Sequence, residues 1–421
     1  MRGKFSTVMV AVTASACAAT LLAPAGAFAS PDGRRTAGDP SVRRVTEGAN
    51  GPSVSADGRY VVFGSSADNL VPGDTNALPD VFLHDLRTHR TTRVSLTEDG
   101  GQAAYGGSAP VLGADGRYVV FRSRALVAGR DQYGFFRRDL RTGATDWVGG
   151  VGDLFPEQNG TLVGASLSAN GRYVSFTARE TRTGRPSHRT AVRDLRTGAL
   201  TVLESGWASE AHLSDDGRRL VYWESVPAPV QHPPNRVFLV DLPGGEPRRL
   251  DVAADGSTTT ARSGYPAISG NGRVAAFVSW ATDLVPGEDP NGSGDDVFVT
   301  GLRERTVRRL PAPAAQGESS NPSVSRDGRY VVLGFTPSGA DRDTTHLYRT
   351  DLRTNHITLV AGTPDGTPVA ATAGERPADA HGRTVVFTSA AEGLAPGAPS
   401  PGGDVYVRTL RRPGLTVTAA P

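Results

Sequence analysis

The chain has 421 residues with 38% hydrophobic content, enough for a packed core, and its 51 glycines and 30 prolines are spread between short apolar runs. Forty-five basic against 43 acidic residues leave little net charge, so nothing favours a nucleic-acid partner, which would need a concentrated basic face. Cys17 is the one cysteine, so no internal disulfide forms, and no stretch beyond the N-terminus approaches the 18 or more apolar residues of a membrane span.

Residues 1–29 read as a secretory signal peptide: Arg2 and Lys4, a small apolar run from Val8 to Leu22, and Ala27 and Ala29 at cleavage-site spacing. A lipoprotein acylated at Cys17 is the competing reading, but "ASAC" lacks the usual leucine three residues before the cysteine. The expected product is exported and soluble, has no cysteine, and carries 45 − 2 = 43 basic residues against 43 acidic ones. Residues 30–41 are expected to be a flexible leader.

From residue 42 one phrase returns. "SADGRYVVF" at 55–63 has counterparts such as "GADGRYVVF", "SANGRYVSF" and "SRDGRYVVL". Seven dipeptides mark the copies: Asp57-Gly58, Asp115-Gly116, Asn170-Gly171, Asp216-Gly217, Asn271-Gly272, Asp327-Gly328 and His381-Gly382, at steps of 58, 55, 46, 55, 56 and 54 residues. Asp-Gly and Asn-Gly predict hairpins in which both residues take positive φ cheaply, and His381 predicts a looser last hairpin. A second phrase follows each time, as in "DVFLHDLRT" at 80–88 and "DVFVTGLRE" at 296–304. Each unit therefore reads as strand A, hairpin, strand B, long loop, strand C, turn and strand D. Strand B ("RYVVF") has no polar alternation, so its sheet is covered on both faces.

Four-stranded antiparallel sheets stacked radially between like neighbours are propeller blades. The expected fold is thus all-β, a seven-bladed β-propeller over residues 42–412. "SVRRVT" at 41–46 resembles a strand D placed ahead of the first strand A and could close the last blade; "LTVTAA" at 415–420, in the tail 413–421, is the alternative. The repeated unit resembles the WD40-like β-propeller repeat of TolB-type proteins. Such repeats occur in periplasmic scaffolds, peptidase propellers and some lyases, so the resemblance implies the fold and leaves function open.

Topology puts the short A–B and C–D turns on one face and the varied B–C and D–A loops on the other, where binding tends to reside. In register with Gly51, strand A carries Ala109, Gly164, Glu210, Tyr265, Asn321 and Glu375 at the channel mouth. With His212 and Arg376 nearby, this set suits a polar ligand or a peptide charge, although solvated residues lining a wet channel would look the same. Trp223 and Trp280, ending strand B in blades four and five, are either loop anchors or a stacking platform.

Asp289, Asn291, Ser293 and Asp295, and likewise Asp74, Asn76 and Asp80, space oxygen ligands as calcium would require; Asx-turns explain them equally well. No other cofactor is indicated. No G-x-S-x-G elbow or H-E-x-x-H motif occurs. Some lyases of this propeller class hold a metal at the mouth with several histidines, whereas only His212 stands on the matching strand. The expectation is a secreted, monomeric, non-catalytic propeller binding a protein or an envelope polysaccharide, with no nucleic-acid partner. A lyase or glycosidase working at the mouth, through a carboxylate pair such as Glu210 and Glu375, is the alternative.

Overall fold

The computed structural model describes residues 41–410 apart from 98–99, 128–129, 156–159, 181–186, 204–207, 226–234, 254, 293 and 315. The expected signal peptide, most of the leader, the tail and Ser293 lie outside the described residues. Within them the chain forms seven antiparallel sheets, and its helical structure is Val151–Leu154 and a 3-10 turn at Arg342–Thr344.

Blade one runs outward as Ala49–Val54, Tyr60–Ser65, Asp80–Asp85 and Arg90–Arg93. Val61, Val62 and Phe63 on its strand B are all fully buried, which is why that strand shows no alternation. Five further sheets repeat the order. Blade seven differs: Thr384–Ser389, Asp404–Thr409 and Val42–Thr46 form three strands, and its inner segment is reduced to the bridges Thr372–Thr388 and Ala378–Val385. The N-terminal strand pairs Val42 with Arg408 and Arg44 with Tyr406, so the two ends of the array share one sheet. Pairing the first strand with the last hairpin covers the outer edge of Asp404–Thr409, which would otherwise stand open at the junction. Residues 415–420 lie outside the described residues.

The repeat phrases are explained by contacts. Only the glycine of each Asp-Gly pair takes a positive φ (72° at Gly58); the aspartate does not, so the turn is not the two-residue type expected. Asp57 Oδ1 instead accepts from the Ser55 hydroxyl and, at 3.0 Å, the Arg59 N–H. The last hairpin is slightly looser than the others, its Gly382 N–H to Asp379 O bond being 3.2 Å against 2.9 Å for Gly58 N–H to Ser55 O. Its Asp379 carboxylate accepts N–H bonds from His381, Arg383 and Thr384, and the closing Asp379 N–H to Thr384 O bond is 2.9 Å, as for Ser55 and Tyr60.

The arginine after the turn bonds the aspartate that ends strand C. Arg59–Asp85, Arg117–Asp139 and Arg172–Asp194 stand at 2.6 Å and Arg329–Asp351 at 2.7 Å. The Arg59 guanidinium holds Asp85 well below the usual carboxylate range. "DGR" and "DL" are thus the two halves of one ion pair.

Neighbouring blades are joined at the same level. The Tyr118 ring lies so close to Gly171 of the next blade that a Cβ there would overlap it, and Tyr60 stands likewise at 2.9 Å from the Cβ position of Gly116. Glycine is required there twice over, for its φ and for the tyrosine. Backbone bonds at the narrow end link Ala56 to Ala114, Ala169 to Asp215, Asp215 to Gly270, Asn271 to Arg326, Asp327 to Ala380 and Ala380 to Ala56. The last of these crosses the seam between blades seven and one.

Candidate functional site at the channel mouth

Strand A of six blades carries a bulge near its channel end, where pairing shifts between Asn50/Ser53, Ser108/Val111, Leu162/Gly164, Ser209/His212, Gly264/Ala267 and Ser320/Ser323. The extra residue leaves the ladder, and its side chain is re-aimed. Ala109, Glu210, Tyr265 and Asn321 occupy it with φ of 49°, 46°, 49° and 45°, a region costly for side chains that have a Cβ. In blade one the same place is held by Gly51 at 58°.

These bulges surround one cavity of about 470 Å3 on the propeller axis. All seven residues in register with Gly51 line it. Its wall is two-sided: blades one to three offer Gly51, Ala109 and Gly164, while blades four to seven offer Glu210, Tyr265, Asn321 and Glu375.

Two charged levels face each other across the channel. At the upper one, Glu375 Oε2 of blade seven lies 3.4 Å from His212 Nδ1 of blade four. Glu210, two residues before His212, accepts the Trp223 indole N–H at 3.0 Å. Burial pushes Glu210 up to about 7; the Trp223 bond works against this and the nearby Glu375 charge adds to it. Side chains of blades four and seven therefore meet, although their blades are not neighbours.

At the lower level Asp215 of blade four is paired by Arg326 of blade six, and Arg376 Nη1 of blade seven lies 3.8 Å away. Arg376 Nη2 also donates to the Leu167 carbonyl of blade three at 2.6 Å. Gly270 makes room for this layer, because a Cβ at that position would collide with the Asp215 carboxylate and the Arg326 stem. Gly374 does the same at the seam, where a Cβ would collide with the Pro52 carbonyl; Val54 N–H then donates to Arg376 O at 3.0 Å. The irregular inner segment of blade seven is what carries Glu375 and Arg376 into the channel.

Trp223 joins the site through Glu210, with His188 beside its ring at 6.0 Å between centroids. Trp280 does not line the cavity; it is exposed on the loop face with Arg262 stacked 5.1 Å above it. Asp215 and Arg326 are functional candidates that a reading of the rim alone misses. Their signal is the position just before each turn dipeptide, which is alanine in Ala56, Ala114, Ala169 and Ala380 but charged in blades four and six.

The acidic loops hold arginine. Arg93 contacts Asp74 at 3.1 Å and Asp80 at 3.2 Å; Arg309 contacts Asp289 at 3.0 Å and Asp296 at 3.2 Å. Asn76 donates to Ala103 O and Asn291 to Gly317 O. Asp295 lies in the same loop as Asp289, and its carbonyl accepts the Ser319 N–H.

Among the described residues no three His, Cys, Asp or Glu side chains converge as metal ligands would. At the mouth Glu210 is turned to Trp223 and His212 to Glu375. No helix among the described residues is long and apolar enough to cross a membrane.

No protein-family model matches the chain, and no curated protein matches it. Solved structures do. An oligogalacturonate lyase in complex with manganese is 16% identical, with 88% of this chain and 93% of that one covered at a TM-score of 0.56. The oligogalacturonate lyase of Vibrio parahaemolyticus is 14% identical over 88% and 94%, at 0.57. The propeller domain of the Trilobed protease from Pyrococcus furiosus is 10% identical over 89% and 98%, at 0.55. TolB from Acinetobacter baumannii also aligns, 14% identical over 84% and 81%, at 0.42. At such identities the likeness is one of fold, the β-propeller.

Proposed function

We propose that this chain is an exported, monomeric, non-catalytic binding propeller that takes a protein or an envelope polymer on its variable loop face, with the channel mouth as the anchoring site. One observation carries the reading. Of the exposed large apolar side chains among the described residues, Leu78, Tyr105, Tyr133, Val163, Tyr265 and Trp280 all belong to the loop face or the mouth, leaving Val202 elsewhere. Apolar groups left in water on one face of a closed scaffold mark an interaction surface. The test is co-sedimentation of the chain with insoluble peptidoglycan and cross-linking to exported proteins, repeated with Tyr105→Ser and Trp280→Ser. Retention lost in these variants supports the reading. Retention that is absent, or indifferent to both, refutes it.

A carbohydrate-active enzyme is the second reading, favoured by Glu210, which burial raises to about 7 with the Glu375 charge adding to the rise. Glycoside cleavage divides the labour between a raised acid and a second carboxylate. Release of reducing ends or unsaturated uronate products, abolished by Glu210→Gln, would establish it.

A further inference from the structure

Resting on the binding reading, we infer that the channel mouth selects a zwitterionic ligand of tripeptide length, its carboxylate entering first to reach Arg326 and Arg376 and its ammonium held at the rim by Glu210 and Glu375. The lower level has two guanidiniums for one carboxylate, Asp215. Arg326 bonds it through Nε, and Arg376 uses Nη2 on a backbone carbonyl, so the remaining N–H donors of both can fork onto a second carboxylate. The upper level has two carboxylates for one imidazole, His212. One cationic and one anionic excess at different depths each offer a simple ion a single counter-charge, whereas a molecule that carries both charges satisfies the two levels at once.

The spacing sets the length. His212 and Asp215, which mark the two levels on blade four, are three residues apart, at most roughly 10 Å of chain. A tripeptide spans roughly the same distance when extended. The cavity of about 470 Å3 falls within the usual size of small-ligand sites. Its bare wall over blades one to three leaves space for small side chains.

The experiment is calorimetric titration of the chain with Ala-Ala-Ala, N-acetyl-Ala-Ala-Ala, Ala-Ala-Ala amide and free alanine. Tri-alanine is expected to bind, and each cap to weaken it at least about tenfold, the loss of one charge-assisted contact. Free alanine, too short to span both levels, is expected to be weaker by a similar factor. Arg326→Gln should reduce binding of tri-alanine but not of its amide, and Glu375→Gln should reduce tri-alanine but not the acetylated form. The capped peptides need no variant to fold. Equal binding of capped and free peptides, or no binding of tri-alanine, overturns the inference. Peptidoglycan co-sedimentation on the same preparation separates the failures: polymer retained without tri-alanine binding rejects only the ligand class, while loss of both rejects the binding reading as well.

Discussion

Glu210→Gln should change how stability depends on pH. Glu210 is raised from 4.5 to about 7 in the folded chain, mainly by burial. Below pH 4.5 both folded and unfolded chains hold the proton, and the residue contributes nothing to the difference. Between pH 4.5 and 7 the folded chain binds more proton than the unfolded one, so stability falls as pH rises. About 2.5 pH units at 1.36 kcal/mol each give a penalty of about 3 kcal/mol, fully present above pH 7. Glutamine imitates the neutral acid and can still accept the Trp223 N–H, so the variant escapes the penalty. With an unfolding entropy of about 2.1 cal/mol/K per residue over some 370 residues, it should melt about 4 °C above the parent at pH 8 and level with it at pH 4.5. Asp296, also raised by burial, to about 6, is present in both chains and cancels in the difference. Calorimetric melting of parent and variant at several pH values is the assay. A difference that stays constant with pH would refute the burial and charge assigned to Glu210.

Three further outcomes follow from contacts. Gly270→Ala drives a Cβ into the Asp215–Arg326 pair and should cost about 1–3 kcal/mol in urea unfolding, against less than about 0.5 for Gly402→Ala, whose Cβ meets nothing within 4 Å. Tyr118→Ala removes a ring held between Arg117 and Arg137, each 4.7 Å from its centroid, and empties the seat over Gly171; thermal unfolding should register a loss of about 2–4 kcal/mol. Arg93→Ala leaves the buried carboxylates of Asp74 and Asp80 without their cation and should destabilise by about 3–5 kcal/mol, with added calcium raising the melting temperature of the variant more than that of the parent.

The architecture was legible because turn and rim are separated by a constant count. Gly51 precedes Asp57 by six residues, as Glu210 precedes Asp216 and Glu375 precedes His381, so one alignment placed the whole ring. What meets across the ring was not legible. Glu375 reaches His212, and Arg376 approaches Asp215, only because the inner segment of blade seven abandons regular pairing, which its sequence does not announce. Trp280 follows strand B of blade five, yet it stands outside the cavity with the Arg262 guanidinium over its ring, on a segment outside the repeat phrase. The acidic loops show the same limit. Spacing alone cannot tell a calcium ion from the guanidinium of Arg93 or Arg309, since each supplies positive charge to the same oxygens.

The shared sheet of blade seven makes the order of synthesis matter. Val42–Thr46 has no sheet to join until Asp404–Thr409 exists, some 360 residues later. Bringing such distant segments together costs about 5 kcal/mol of chain entropy, and no local contact repays it until the two strands touch. A chain interrupted anywhere before its last hairpin thus keeps both a loose first strand and an unfinished rim, with Glu210 facing an empty sector where Glu375 and Arg376 should stand. The candidate site, split between the fourth blade and the last, is completed by the same event that locks the ring.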